Sequence, residues 1–319
     1  MRRPSLALSA VALAAVVTGA IAAPAAADGG ITVTVHVQDA SGEPLGEVDV
    51  SFLNDADDYV SLGSTGASGT VQGSGDEFGE LYEGDWTLLA SDFDEARFDA
   101  RSQYADAEQD VTITEEGPKE FTVTMYPGSR IEGTVAAPSG RPVQGIPTFA
   151  QLKDEDGGYD FTGNLSRTTS KGAFTLAGLG PGSYRVTAGV QVDQFGTFGS
   201  DTKLGDIVVE DYGQTRSGFK VRNWRVQCDT GFSVSSPKKG QAKLSIKATA
   251  KAEGLTNPKG TIVVKRGSKT VKTIPWKSSK ATTTLTRQPA GKKVTYTATY
   301  SGGDCLAWKS SKKVTIKKR

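Results

Sequence analysis

The chain has 319 residues, 37% of them hydrophobic and 23% charged, which is enough for two or three domains with apolar cores. It contains one histidine, His36, and two cysteines. A single histidine excludes a zinc peptidase of the His-Glu-x-x-His type, and it excludes a Ser-His-Asp hydrolase unless His36 is the base. The composition leaves room for catalysis only by carboxylates, lysine or tyrosine. We expect no catalytic residues, no cofactor and no metal site. The acidic loops offer oxygen ligands but not the spacing of an EF-hand.

The N-terminus has the features of a secretory signal peptide. Two arginines precede an apolar stretch that ends in a run of small residues before Asp28. We predict a signal peptide over residues 1–27, cleaved between Ala27 and Asp28. An uncleaved membrane anchor is the alternative, although Pro24 interrupts the apolar run. The expected product is secreted or associated with the cell wall, with no stable membrane insertion.

The net charge of +1 hides a strong asymmetry along the chain. Residues 28–128 carry 23 acidic and 3 basic side chains, a net charge of −20. Residues 129–222 carry 10 of each, and residues 223–319 carry 3 acidic and 22 basic side chains, a net charge of +19. Charge blocks of this kind indicate units with different surfaces. We predict three domains with these boundaries.

The first two of these units are diverged copies of each other. Ser41–Leu45 matches Ser139–Val143, and Leu81–Ala90 matches Leu179–Ala188, both at an offset of 98 residues. Two separated matches at one offset indicate a duplication. Alternating apolar and polar residues, as in Ile31–Val37, together with Gly and Pro turns, predict β-sandwiches with little helix.

Four segments of the second copy carry a resemblance to a known family: Ile131–Val135, Gly140–Gly145, Thr169–Leu176 and Gly178–Val186. They resemble carboxypeptidase regulatory-like domains, over most of residues 129–222. The resemblance implies a seven-stranded, prealbumin-like sandwich, grouped with carbohydrate-binding-like folds and carrying no peptidase residues. The first copy resembles the same family more weakly and has an acidic, Gly-rich insertion between Gly69 and Leu81.

The basic last third is also predicted to be a β-sandwich. Leu244, Ile246 and Ala248 alternate with polar residues, and further segments follow at Gly260–Val264, Ala281–Leu285, Ala290–Val294 and Thr297–Gly302. The set resembles bacterial Ig-like repeat domains over about residues 235–317. This resemblance implies a stalk or an adhesive spacer, and the lysines at outward positions argue against an inert one.

Cys228 and Cys305 both lie in this last third. An exported chain with an even number of cysteines favours one disulfide bond. Two free buried thiols are the alternative. In the chain-entropy model, closing a loop of this length stabilises the fold by roughly 4 kcal/mol.

A repeated pentapeptide and a Gly-rich stretch supply the candidate ligand-binding residues. The sequence Trp-Lys-Ser-Ser-Lys at residues 276–280 recurs at residues 308–312, and a tryptophan beside lysines could hold an anionic glycopolymer. Two phenylalanines in the Gly-rich stretch could stack on sugars. A buried core position is the alternative for the first tryptophan. The candidates are Trp276, Lys277, Trp308, Lys309, Phe195 and Phe198.

Three classes of function are compatible with the sequence. We favour a non-catalytic secreted or cell-surface interaction protein whose basic end attaches to anionic cell-wall polymers. A carbohydrate-binding protein is the second class, and a polysaccharide hydrolase or an amylase-type accessory protein is the third. Nucleic acid is not an expected partner, because the chain is exported and has no nucleic-acid motif. We expect a monomer, with head-to-tail association of its acidic and basic ends as the alternative.

Overall fold

The computed structural model describes residues 30–76, 79–92, 103–117, 119–189, 202–250, 255 and 257–318. Secondary structure in these residues consists of strands, with no helical residue among them. The predicted all-β class is therefore confirmed. Within the same ranges, no helix is long and apolar enough to cross a membrane.

The first sheet pair lies between residues 33 and 125. Its sheets have the strand orders β4-β1-β9 and β3-β2-β7-β8, and β5 and β6 form a small separate hairpin. Strand β1 runs parallel to β9 and antiparallel to β4. The strands are β1 (Val33–Asp39), β2 (Asp49–Leu53), β3 (Tyr59–Ser64), β4 (Thr70–Gly73), β5 (Gly75–Asp76), β6 (Gly79–Glu80), β7 (Gly84–Ser91), β8 (Ala107–Ile113) and β9 (Glu120–Met125).

The core of this pair follows from strand alternation. Val33, Val35 and Val37 on β1 are buried, while the residues between them are partly exposed. They belong to one apolar cluster with Phe52 of β2 and Trp86 of β7, whose rings meet edge to face at 6.4 Å. Successive side chains on a strand point to opposite faces of its sheet. Each sheet therefore buries one face against the other sheet and exposes its second face to solvent.

The second sheet pair repeats this topology between residues 129 and 221. Its orders are β13-β10-β16 and β12-β11-β14-β15, with β10 parallel to β16. Seven strands agree with what the resemblance implies for this copy. They are β10 (Ser129–Val135), β11 (Pro147–Lys153), β12 (Tyr159–Arg167), β13 (Ala173–Leu179), β14 (Gly182–Ala188), β15 (Thr202–Val209) and β16 (Thr215–Val221).

Equivalent residues of the two copies make equivalent contacts. The Trp86 indole N–H donates to the Tyr82 carbonyl at 3.1 Å, and the Tyr184 hydroxyl donates to the Gly180 carbonyl at 2.8 Å. Both bonds join a β7 or β14 ring to the residue four positions earlier. The offset of 98 residues thus relates the same structural positions, which supports the duplication.

The third sheet pair lies between residues 228 and 315. Its orders are β17-β18-β21 and β20-β19-β22-β23. The predicted alternation is confirmed, since Leu244, Ile246 and Ala248 are buried in its core. The strands are β17 (Cys228–Ser235), β18 (Ala242–Ala250), β19 (Gly260–Arg266), β20 (Lys269–Trp276), β21 (Lys280–Leu285), β22 (Lys293–Ser301) and β23 (Trp308–Thr315).

The core of the second sheet pair extends beyond the charge boundary at residue 222. Trp224 and Val226 are 0% and 1% exposed and belong to the same apolar cluster as Ile131 and Tyr184. Leu255, which follows β18, is buried in that cluster as well. The connection to the third sheet pair is therefore packed into the second pair.

Candidate functional site

The structure separates the tryptophan and the lysine of each repeated pentapeptide. Trp276 is 1% exposed and lies in the core of the third sheet pair, while Lys277 is exposed. Trp308 is half-buried and stacks on Tyr300 with 6.2 Å between ring centroids. Lys309, the next residue on β23, lies on the outer face of the sheet, because adjacent strand residues face opposite sides of a sheet. The structure places Trp276 in the core, which was the alternative interpretation.

The remaining predicted sites divide into two groups. Phe195 and Phe198 lie outside the described residues, as do Ala27 and Asp28 at the predicted cleavage site. The disulfide bond between Cys228 and Cys305 is present, which confirms that prediction. It joins the first strand of the third sheet pair to the segment that precedes β23.

Asp304, next to this disulfide, holds the second and third sheet pairs together. Its carboxylate is fully buried and accepts hydrogen bonds from the Ser139 amide at 3.0 Å and the Lys259 amide at 2.8 Å. The Arg141 guanidinium pairs with it at 2.9 Å and also donates to the Asn257 carbonyl at 2.7 Å. Ser139 and Arg141 belong to the turn between β10 and β11, so this cluster spans the junction.

The cluster sets the protonation of Asp304. Burial by itself would raise the pKa of this carboxyl. Donors from Lys259, Arg141 and Ser139 stabilise the charged form and together outweigh burial, so the pKa lies below its ordinary value.

We expect Asp304→Asn to destabilise the protein by about 2 kcal/mol at neutral pH, since it weakens charge-assisted hydrogen bonds. A depressed folded-state pKa adds stability above the unfolded-state pKa, and this contribution disappears as the pH falls through the folded-state value. The difference between wild type and variant should therefore be constant above about pH 5 and shrink below about pH 4. Urea unfolding across pH measures it, with exposed Asp156→Asn as the control. A pH-independent difference would contradict the assignment.

A shallow cavity in the first sheet pair was not anticipated from the sequence. Its volume is about 480 Å³, and its lining includes Asp58, Glu80 and two exposed tyrosines, Tyr59 and Tyr82. The Tyr82 ring packs edge to face on Trp86 at 5.0 Å, and its hydroxyl donates to Asp58. Repeat matching identified Leu81–Ala90, but it marked the buried Trp86 rather than the exposed ring beside it.

The acidic loops use several of their oxygens to close turns. Asn54 Oδ1 accepts from the amides of Ala56 and Asp58, both at 2.9 Å, and Asp154 Oδ1 accepts from the Gly158 amide at 2.6 Å. Turn closure by Asn and Asp explains these residues without a cation. In the part of the chain that the structure describes, no group of three or more His, Cys, Asp or Glu side chains is arranged to hold a metal ion.

The outer faces of the third sheet pair are lined with lysines. On the three-stranded sheet, Lys243, Lys247 and Lys280 are exposed, and Lys247 lies directly opposite Lys280 in the β18–β21 register. We call these three residues the lysine strip. Asp229 lies on the same face, beside Thr249. Like charges placed opposite each other on neighbouring strands are destabilising.

The four-stranded sheet carries a second set of lysines. Its outward positions hold lysines separated by Thr and Ser, with half-buried Val263 of β19 between them. The Thr297 and Ser311 hydroxyls are hydrogen-bonded at 2.8 Å across β22 and β23. We define the basic face by its exposed lysines, Lys265, Lys293, Lys309 and Lys313.

The outer face of the sheet β3-β2-β7-β8 in the first pair has the opposite charge. Leu53 and Leu89 are half-buried on this face, and Leu89 pairs in register with Glu108. Asp85 and Asp110 accept hydrogen bonds from neighbouring threonines at 2.7 and 3.2 Å. We define the acidic face by its exposed carboxylates, Asp49, Asp85, Glu108 and Asp110. None of these four carboxylates forms an ion pair within the described ranges.

Comparison with known proteins gives structural similarity alone. No family model matches the chain, and no curated protein sequence matches it. Among solved structures, the Bacillus anthracis TIE protein matches at 12% identity and a TM-score of 0.26, covering 90% of this chain and 49% of its own length.

Two further structures illustrate the range of matches. The Bacillus cereus major pilin subunit BcpA matches at 13% identity and a TM-score of 0.32, over 59% of this chain and 69% of that one. A DUF3823 family protein from Bacteroides ovatus matches at 11% identity and a TM-score of 0.23. The match covers 60% of this chain and 100% of the Bacteroides protein. At these identities and TM-scores the matches do not identify the fold or the function of this chain.

Proposed function

We propose that this chain is a non-catalytic extracellular protein whose third sheet pair attaches to anionic polymers of the cell wall. The observation that carries the proposal is the lysine strip, in which Lys247 and Lys280 face each other on an exposed sheet. Bound phosphate or uronate groups would relieve the repulsion between these lysines. The disulfide bond and the predicted signal peptide support an extracellular location.

The distribution of acids strengthens this proposal. Residues 223–319 contain three carboxylates, Asp229, Glu253 and Asp304. Asp304 is buried and paired with Arg141, so it does not offset the surface lysines. The third sheet pair therefore presents a strongly positive surface, which attracts flexible polyanions with little dependence on their chemical detail.

Retention of the full chain on immobilised polyphosphate and polygalacturonate tests the proposal. We expect Lys243→Gln, Lys247→Gln and Lys280→Gln together to weaken binding about 10- to 150-fold, at about 0.5–1 kcal/mol per exposed contact. The matched control changes Lys265, Lys309 and Lys313 to Gln, which removes the same charge from the other sheet. Equal losses in the two variants would contradict a role for the strip, and retention unchanged in about 1 M salt would contradict an electrostatic attachment.

The cavity with Tyr59 and Tyr82 favours carbohydrate binding as a second candidate function. The two exposed rings lie beside the carboxylates of Asp58 and Glu80. This combination suits a sugar, which presents apolar faces and hydroxyl groups. A neutral polysaccharide matrix in the same experiment separates the candidates. Retention there, displaced by soluble oligosaccharides and lost in Tyr82→Ala, would favour the carbohydrate-binding function.

A further inference from the structure

The two junctions of the second sheet pair lie at opposite ends of β10. At its start, the Gly128 amide donates to the Gln103 carbonyl at 2.7 Å, and Tyr126 stacks on Tyr212 at 4.8 Å. At its other end, the Trp224 amide donates to the Ala136 carbonyl at 3.1 Å. Seven residues of strand separate these ends by about 20 Å at about 3.3 Å per residue.

The distance between the two junctions limits how far the acidic and basic faces of one chain can neutralise each other. The acidic face belongs to the first sheet pair and the basic face to the third, and the second pair connects them from its two ends. At an ionic strength of about 0.15 M, exposed charges are screened beyond about 8 Å. The net charges of −20 and +19 on the outer units therefore do not cancel across the middle unit.

We propose that the acidic face of one copy docks on the basic face of a second copy. Both faces are the outer surfaces of four-stranded sheets, and each carries four exposed charges of one sign. Each also has a partly buried apolar centre, formed by Leu53 and Leu89 on the acidic face and by Val263 on the basic face. Apolar centres with charged rims are the usual anatomy of protein interfaces.

The size of the faces predicts a weak association. Four strands spaced about 4.8 Å apart and about six residues long cover roughly 400 Å². This is about half the area that each partner contributes to a standard stable interface, which is about 800 Å². Charge complementarity then governs the encounter, and the association should depend steeply on salt.

The contact joins two different surfaces, so it is heterologous. It is independent of the proposed polymer attachment, which uses the lysine strip on the other sheet of the third pair. A chain could therefore occupy both surfaces at once. Under this proposal, the chain is a monomer, as expected from the sequence, at low protein concentration or at high salt.

Sedimentation equilibrium of the chain beginning at Asp28 tests the proposal. We expect the average mass to rise with protein concentration at about 0.01 M salt, where the screening length is about 30 Å, and to return to the monomer at about 1 M salt. Charge reversal on the basic face, by Lys265→Glu, Lys309→Glu and Lys313→Glu, should abolish association.

Two further variants make the test specific. Reversal of the acidic face, by Asp85→Lys, Glu108→Lys and Asp110→Lys, should also abolish self-association. An equimolar mixture of the two reversed proteins should associate, because one keeps its acidic face and the other keeps its basic face. Combining both reversals in one chain should restore self-association, because that chain again carries one positive and one negative face. Reversal of the lysine strip should leave association unchanged. A constant monomer mass at low salt, a mixture of the two reversed proteins that stays monomeric, a failure of the combined reversal to restore association, or sensitivity to the strip variant would overturn the proposal.

Discussion

Changing Cys228 and Cys305 to alanine is expected to lower the free energy of unfolding by about 4 kcal/mol in the chain-entropy model. The bond closes a loop with a sequence separation of 77 residues, and loss of the cross-link increases the entropy of the unfolded chain. Cys305 is also buried, so its replacement removes core contacts in the third sheet pair. Denaturant unfolding of the full chain, with and without reductant, measures the effect.

Reductant provides the internal control for this expectation. It should destabilise the wild-type protein and leave the double-alanine variant unchanged. The unfolding transition attributable to the first sheet pair should stay constant, because neither cysteine belongs to that pair. Titration that detects two thiols in the oxidised protein would contradict the bond.

Trp224→Ala is expected to cost about 3–5 kcal/mol, the usual range for truncation of a fully buried tryptophan. Trp224 is 0% exposed and packs in the second core although it follows the last strand of that pair. Its loss should also loosen the attachment of the third sheet pair, since the chain passes from Trp224 through Val226 to Cys228. Chemical denaturation of the full chain measures the change.

Trp224→Phe is the matched control. The indole N–H of Trp224 has no hydrogen-bond partner among the described residues, so phenylalanine keeps most of the apolar contacts without losing a bond. We expect a clearly smaller loss than for alanine. Equal losses in the two variants would indicate that specific shape rather than buried apolar volume determines stability here.

Segment-level features of the fold followed from local signals in the sequence. Alternation along residues 31–37 and 244–248 identified the buried faces, because the side-chain period of a strand is two wherever the strand lies. The repeat offset identified the duplicated unit, and the disulfide followed from a pair of cysteines in a chain predicted to be exported. The tryptophan–lysine hypothesis took no account of this alternation. Trp308 and Lys309 are adjacent on one strand, so their side chains lie on opposite faces of the sheet.

Asp304 shows what local patterns leave undetermined. It is one of three acids in a strongly basic third of the chain and directly precedes Cys305, which is the signal available in the sequence. Its partner Arg141 lies 163 positions away in a turn whose counterpart in the first copy carries Glu43. No local periodicity links residues so far apart.

The amino-acid sequence by itself determined the all-β class, the duplication and the order of the acidic, neutral and basic units, and it favoured the disulfide over two free thiols. These properties depend on residue type and on spacing within short segments. Only the tertiary structure decided that Trp224 packs into the second core, that Asp304 and Arg141 join two sheet pairs, and that the charges gather on particular sheet faces. Those outcomes depend on which distant strands become neighbours and in which register, because register determines which side chains share a face.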